Sequence, residues 1–230
     1  MTVTTDRLTL TAADGHRFAA FQALPAGAPQ GGVVVLQEIF GVNSHIQAVC
    51  GRLAEAGWAA LAPALFDRAA REVTLGYEAA DIERGKALKQ QIAIDTALQD
   101  VAAARATLAE RTAAVAAIGF CWGGSLAWAA ATRLEGFAAS LSYYGGEVPR
   151  LAEEAPGCPV LLHFGREDAG IPLDGVAAFR RRHPALPLHL YPAGHGFNCD
   201  QRASYAPDSA ARAWRRSLAF LDAVMPEPGA

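Results

Sequence analysis

One stretch constrains the fold more than any other: Val115-Ala116-Ala117-Ile118-Gly119-Phe120-Cys121-Trp122-Gly123-Gly124-Ser125. An apolar run leads into Gly-x-Cys-x-Gly-Gly, and a series of small residues suited to a close-packed helix follows. Strand, sharp turn and helix in that order form the element that lifts a nucleophile above a sheet. Its flanking residues must be glycine, because a Cβ there would strike the strand or the helix. The side chain at the turn stands at a helix N-terminus, where the macrodipole lowers a thiol pKa and a free N–H can hold an oxyanion. Cys121 is therefore the candidate nucleophile. Ser125, one helical turn on, reads as helix packing. Cys50, Cys158 and Cys199 have no such context and read as structural thiols.

Elements on both sides of this turn alternate. Leu8 to Leu10 and Arg17 to Ala23 flank Asp14-Gly15, a hairpin signal. Val33-Val34-Val35-Leu36 is a continuous apolar run, the pattern of a strand covered on both faces. A helix over His45–Ala56 stops at Gly57, a strand covers Ala59–Pro63, and residues 65–77 read as a loop. Helices follow over Glu78–Gln91 and Asp95–Ala109, then the strand at Val115–Ile118 and the helix from Trp122 to Thr132. Strands at Phe137–Tyr143, Pro159–Phe164 and Leu186–Tyr191 enclose a helix over Leu173–Arg182, and a helix over Ser204–Val224 closes the chain. This alternation implies an α/β-hydrolase fold, a mainly parallel central sheet with helices on both faces. The 230 residues read as one domain, with 225–230 expected to fray.

In such a sheet the active site gathers where the parallel strands end at their carboxyl termini. An acid and then a histidine are expected after Cys121 in chain order. Val160-Leu161-Leu162-His163-Phe164 runs into Gly165-Arg166-Glu167-Asp168, and Asp168 is the favoured acid because a short side chain in a tight turn orients an imidazole at less entropic cost. Glu167 and Asp174 are its rivals. Gly194-His195-Gly196 follows the next strand, so His195 is the candidate base. It would hold the thiolate as an ion pair and protonate the leaving group, while Asp168 fixes its tautomer. His16, His45, His163, His183 and His189 read as ordinary histidines.

These residues resemble the dienelactone hydrolase family (carboxymethylenebutenolidase-like) over nearly the whole chain. The carriers are Gln37-Glu38-Ile39-Phe40-Gly41, Gly119-Phe120-Cys121-Trp122-Gly123-Gly124, Tyr143-Tyr144-Gly145, Gly165-Arg166-Glu167-Asp168 and Gly194-His195-Gly196-Phe197. The resemblance implies that Glu38 lies beside the thiol, held partly by an arginine, and takes its proton when substrate binds. It also implies an oxyanion hole from the backbone N–H groups of Ile39 and Trp122, and substrate contacts from Tyr144, Phe40 and Phe197. The family's dienelactone enzymes clamp a substrate carboxylate between two arginines. One of them stands four residues after the histidine, where this chain has Cys199; Arg202 is nearby in another register, and Arg84 is the nearest counterpart of the other.

The remaining composition narrows the partners. The net charge of −3 shows no basic block, so nothing points to nucleic acid or a membrane surface. The four cysteines lack metal or disulfide spacing. A cytoplasmic enzyme without metal or organic cofactor is expected, a monomer or small homo-oligomer acting on a small lactone or ester of the dienelactone type. A broader carboxylesterase or thioesterase, and a non-catalytic thiol sensor on the same fold, are the alternatives.

Overall fold

The computed structural model describes residues 2–225. The hairpin β1 (Thr4–Thr11) and β2 (Arg17–Leu24) is followed by β3 (Gly32–Leu36), α1 (Ser44–Glu55), β4 (Ala59–Pro63), α2 (Ala79–Gln90), α3 (Ile94–Ala109) and β5 (Val115–Phe120). Then come α4 (Trp122–Arg133), β6 (Ala139–Tyr143), β7 (Val160–Gly165), α5 (Leu173–Arg182), β8 (Leu188–Tyr191) and α6 (Pro207–Val224). The strands form one eight-stranded sheet in the order β1-β2-β4-β3-β5-β6-β7-β8. β2 is antiparallel to both neighbours, and from β4 to β8 every pairing is parallel. This is the α/β-hydrolase arrangement.

Period-2 alternation divides the core between the two faces. Val33 and Val35 of β3 and Ile118 of β5 pack with Ile46, Val49 and Leu53 of α1 and with Ala213 and Leu221 of α6. Val34 and Leu36 point the other way, toward Leu98, Val101 and Leu108 of α3 and Leu126 of α4. Burying each such aliphatic side chain contributes about 1.5–3 kcal/mol, which seats the helices on the sheet. Asn43 starts α1 as its N-cap, its side chain accepting from the Ile46 N–H at 3.3 Å.

The differences from the sequence expectation lie at element ends. The closing helix begins at Pro207 rather than Ser204, because a proline at the first helical position gives up only an N–H that would lack a partner anyway. The loop after β4 contains a short 3-10 turn over Leu65–Arg68. Met225 does not fray; it is buried in the core at the end of α6, and residues 226–230 of the expected tail lie outside the described residues. No described helix is long and apolar enough to cross a membrane.

Candidate active site

The carboxyl ends of β3, β5, β7 and β8 deliver Glu38, Cys121, Asp168 and His195 to one rim of the sheet. Cys121 occupies the turn between β5 and α4 with φ 55° and ψ −114°, a conformation that costs a non-glycine residue about 1–3 kcal/mol. The turn is pinned by its own backbone: Cys121 N–H donates to the Tyr143 carbonyl and Gly123 N–H to the Gln37 carbonyl, each at 3.0 Å. The glycines expected around it are required by close approach. A Cβ on Gly119 would lie 1.9 Å from the Gly123 carbonyl oxygen, and one on Gly123 would lie 2.2 Å from that of Leu36. Ser125 is buried in α4 and accepts from the Glu147 N–H at 3.0 Å, a packing role.

Asp168 is buried in the turn after β7. Its Oδ1 accepts from the Gly170 N–H at 2.9 Å, and its Oδ2 lies 2.7 Å from Nδ1 of His195. Glu167 and Asp174 are both exposed and do not meet the imidazole. His195 is pushed up to about 10: burial works against its imidazolium, but the charge of the Cys121 sulfur and the Asp168 carboxylate outweigh it. The imidazole therefore stays protonated through neutral pH beside the Cys121 sulfur.

Glu38 ends the segment after β3 and is almost fully buried. A buried carboxylate needs a partner, and Arg202 supplies one, with Nη1 donating to Glu38 Oε1 at 3.1 Å. Arg202 reaches this point from seven residues beyond His195 because the chain coils tightly there. Cys199 N–H donates to the Gly196 carbonyl, Arg202 N–H to that of Cys199, and Tyr205 N–H to that of Arg202. The guanidinium also lies over the rings of Phe40 and Tyr77, at 5.4 and 5.9 Å from their centroids. Arg202, in the register that sequence spacing set aside, is therefore the arginine of this site. Cys199 is buried and points its Sγ toward the Tyr77 hydroxyl at 3.2 Å.

A cavity of about 330 Å³ opens over these groups. Cys121 and His195 lie at its base, and Ile39, Phe40 and Ile82 form apolar walls. Arg202 and two lysines of α2, Lys86 and Lys89, bring three cations to it. Lys89 pairs with Glu147, whereas Lys86 is exposed and pairs with Glu83 at 2.8 Å. A larger groove of about 470 Å³ lies against α3, lined in part by Leu98, Ala102 and Arg133, but Arg133 is already bound to Asp95 and Glu154, and the lining holds no cysteine, serine or histidine. The candidate nucleophile and base both open onto the smaller cavity.

Three expected substrate contacts fall elsewhere. Arg84 is exposed and does not line the cavity; its helix turns Ile82, Lys86 and Lys89 toward it instead, at helical spacing. Phe197 is fully buried against Tyr144, Tyr191 and Tyr143, so it supports the histidine loop from beneath. Tyr144 is also buried, with φ 38°, and its ring stands edge-on to the His195 imidazole at 5.1 Å. It backs the imidazole and does not wall the cavity. The lysines of α2 carry no signal in the sequence, because lysines on a surface helix are ordinary; Gly85, just before Lys86, is the one residue there that departs from an ordinary helix composition.

The chain is similar to known proteins along most of its length. The profile of the Dienelactone hydrolase family matches residues 18–225. A Synechocystis sp. protein named "Putative carboxymethylenebutenolidase" is 37% identical over 206 residues, covering 80% of this chain and 82% of its own. The carboxymethylenebutenolidase of Pseudomonas sp. (strain P51) is 33% identical over 235 residues, covering 96% and 97%. Among solved structures, a "Putative Dienelactone Hydrolase" from Klebsiella pneumoniae superposes with a TM-score of 0.85 at 30% identity, covering 96% of this chain and 99% of that one.

Proposed function

This chain belongs to the dienelactone hydrolase family and is a hydrolase, and we propose that it opens a lactone or cleaves a small carboxylic ester through an acyl-cysteine intermediate. The observation that carries this reading is the arrangement of His195 between the buried Asp168, 2.7 Å from Nδ1, and the strained Cys121.

Glu38 takes the thiol proton of Cys121 when substrate displaces it from Arg202. The thiolate then attacks the acyl carbon, and the oxyanion is received by the N–H groups of Ile39 and Trp122. Trp122 opens α4, where the first N–H groups have no carbonyl in a preceding turn to bond. Collapse of the adduct breaks the acyl C–O bond. His195, held protonated by Asp168 and the sulfur, gives its proton to the departing oxygen. The now neutral imidazole draws a proton from water, whose hydroxide attacks the thioester and releases the acid product and the cysteine thiolate. Asp168 fixes the imidazole tautomer throughout.

The cations at the mouth favour a substrate that carries its own carboxylate, with dienelactone (4-carboxymethylenebut-2-en-4-olide) as the leading candidate. A broader carboxylesterase is the second reading, supported by one feature: two lysine ammonium groups stand where a bidentate arginine would give sharper carboxylate recognition. The four cysteines are free thiols, as a reducing compartment keeps them, so we place the enzyme in the cytoplasm.

The test is the hydrolysis rate of cis- and trans-dienelactone and of a neutral aryl ester, with Cys121→Ala as control. The expected result is turnover of the acidic lactone that falls by about a thousandfold or more in the variant, while its melting temperature stays near wild type. Turnover of the aryl ester alone would select the second reading. Activity that survives Cys121→Ala would overturn the acyl-cysteine route.

A further inference from the structure

Beside the candidate active site, three buried side chains converge that no ligand spacing in the sequence connects. One donor atom each from Glu38, His45 and Cys199 lies within 4.8 Å of the other two. All three residues are at most 1% exposed. Nδ1 of His45 is engaged by the Asp200 carboxylate at 3.2 Å, while its Nε2 is buried and, among the described residues, has no hydrogen-bond partner. An imidazole whose outer nitrogen is held by a carboxylate keeps its proton there and presents a bare lone pair on the other, the arrangement that orients metal-bound histidines. Neutral imidazole, thiolate and carboxylate together are the donor set of a thiophilic divalent ion such as zinc.

We propose that Glu38, His45 and Cys199 form a binding site for a divalent cation of the zinc class, and that its occupation switches the hydrolase off. On binding, the Cys199 thiol gives its proton to solvent, and the thiolate and the Glu38 carboxylate neutralise the ion's two charges. Glu38 can serve both neighbours, since Arg202 takes Oε1 and leaves the second oxygen. The guanidinium nevertheless opposes a second cation nearby, so the site suits an ion that comes and goes with its concentration. The inhibition rests on the role proposed above for Glu38: a carboxylate bound to metal cannot take the Cys121 proton. Binding itself does not rest on that role.

Cys121 with His195 is a second thiol–imidazole pair, so the binding test uses Cys121→Ala protein titrated with cobalt(II). The expected result is a sulfur-to-cobalt charge-transfer band that saturates at one equivalent and is bleached by zinc. Adding Cys199→Ala should abolish the band, and adding His45→Gln should weaken cobalt binding tenfold or more, with circular dichroism showing both variants folded. No band in Cys121→Ala, or a band that survives Cys199→Ala, would overturn the site. The second measurement is zinc inhibition of the otherwise unmodified enzyme. Cys199→Ala should keep basal turnover and lose sensitivity to micromolar zinc. Undiminished inhibition in that variant would overturn the switch, and a cobalt band with no inhibition would overturn the Glu38 link while leaving the site in place.

Discussion

The rim of strand ends and the helical wall above it are built on different terms. On the rim, Cys121, Asp168 and His195 each follow a parallel strand and are fixed by backbone contacts or a buried partner. The α4 helix behind Cys121 buries ten of its residues, from Trp122 to Ala131. In the wall, α2 buries only Gly85 and Leu88, and its lysines extend from an otherwise exposed surface. In the proposed mechanism the chemistry is thus set on the part of the molecule most firmly held by the sheet. The same proposal leaves substrate choice to a helix whose outer residues are exposed and can change at little cost to stability. On this view, changes on the rim should cost rate by orders of magnitude, and changes in the wall should alter selectivity by small factors.

The largest effect after loss of the thiol is expected from Asp168→Asn. An amide accepts weakly and cannot enforce the tautomer, so kcat/KM should fall by about 10²–10⁴-fold with the fold intact. Steady-state kinetics and a melting curve check this; a loss under tenfold would mean that the buried carboxylate is structural only. The same pair sets the pH response. His195 is raised to about 10, so its imidazolium persists below that value and is lost as pH rises through it. kcat/KM, which reports groups of the free enzyme, should hold through neutral pH and fall toward tenfold per unit above about 10. Asp168→Asn should move that limb to lower pH, since the carboxylate is one of the groups that raises it. A wild-type limb near the ordinary histidine value would mean that its neighbours do not hold His195 protonated.

The same contrast decides what could be read from sequence. The elbow, the acid and the histidine were legible because each is dictated locally: glycines that a Cβ would drive into the backbone, a carboxylate in a tight turn, a histidine just after a strand. The parallel sheet was legible from runs such as Val33 to Leu36, apolar at every position. Arg202 was not, because its reach depends on three successive turns between Gly196 and Tyr205 that no residue pattern announces. His45 was not, because its carboxylate partner lies 155 residues away at Asp200. Lys86 and Lys89 were missed for the opposite reason: surface lysines are common, and only the docking of α2 makes these two matter.

That docking is where rim and wall meet, and Gly85→Ala tests it. A Cβ there would stand 2.0 Å from the Ile39 carbonyl oxygen, a backbone atom that cannot swing aside. Either α2 lifts or the Glu38–Phe40 segment shifts. The expected result is a stability loss of about 1–3 kcal/mol, as for an overpacked contact, with kcat reduced because a shift of the Glu38–Phe40 segment carries the Ile39 N–H out of place. Denaturant unfolding and kcat measured together separate the two responses. Lost stability with unchanged kcat would show that α2 moves alone and that the rim is insulated from the wall.

The smallest effect is expected from Lys86→Ala, and it draws the boundary most sharply. Lys86 is exposed and shares its charge with Glu83, so water and salt screen whatever it offers a substrate anion. An exposed pairing of this kind contributes about 0.2–1 kcal/mol, which corresponds to a rise in KM of roughly 1.4- to 5-fold for an acidic lactone. kcat should not change, because the ammonium meets the bound carboxylate equally in ground and transition states. The effect should shrink further at high salt and be absent for a neutral ester of the same size. An equal rise for both substrates would mean that the lysine stem shapes the cavity rather than its charge. A fall in kcat would place this part of α2 with the rim, and the division between a rigid chemical floor and an adjustable wall would have to be redrawn along the helix.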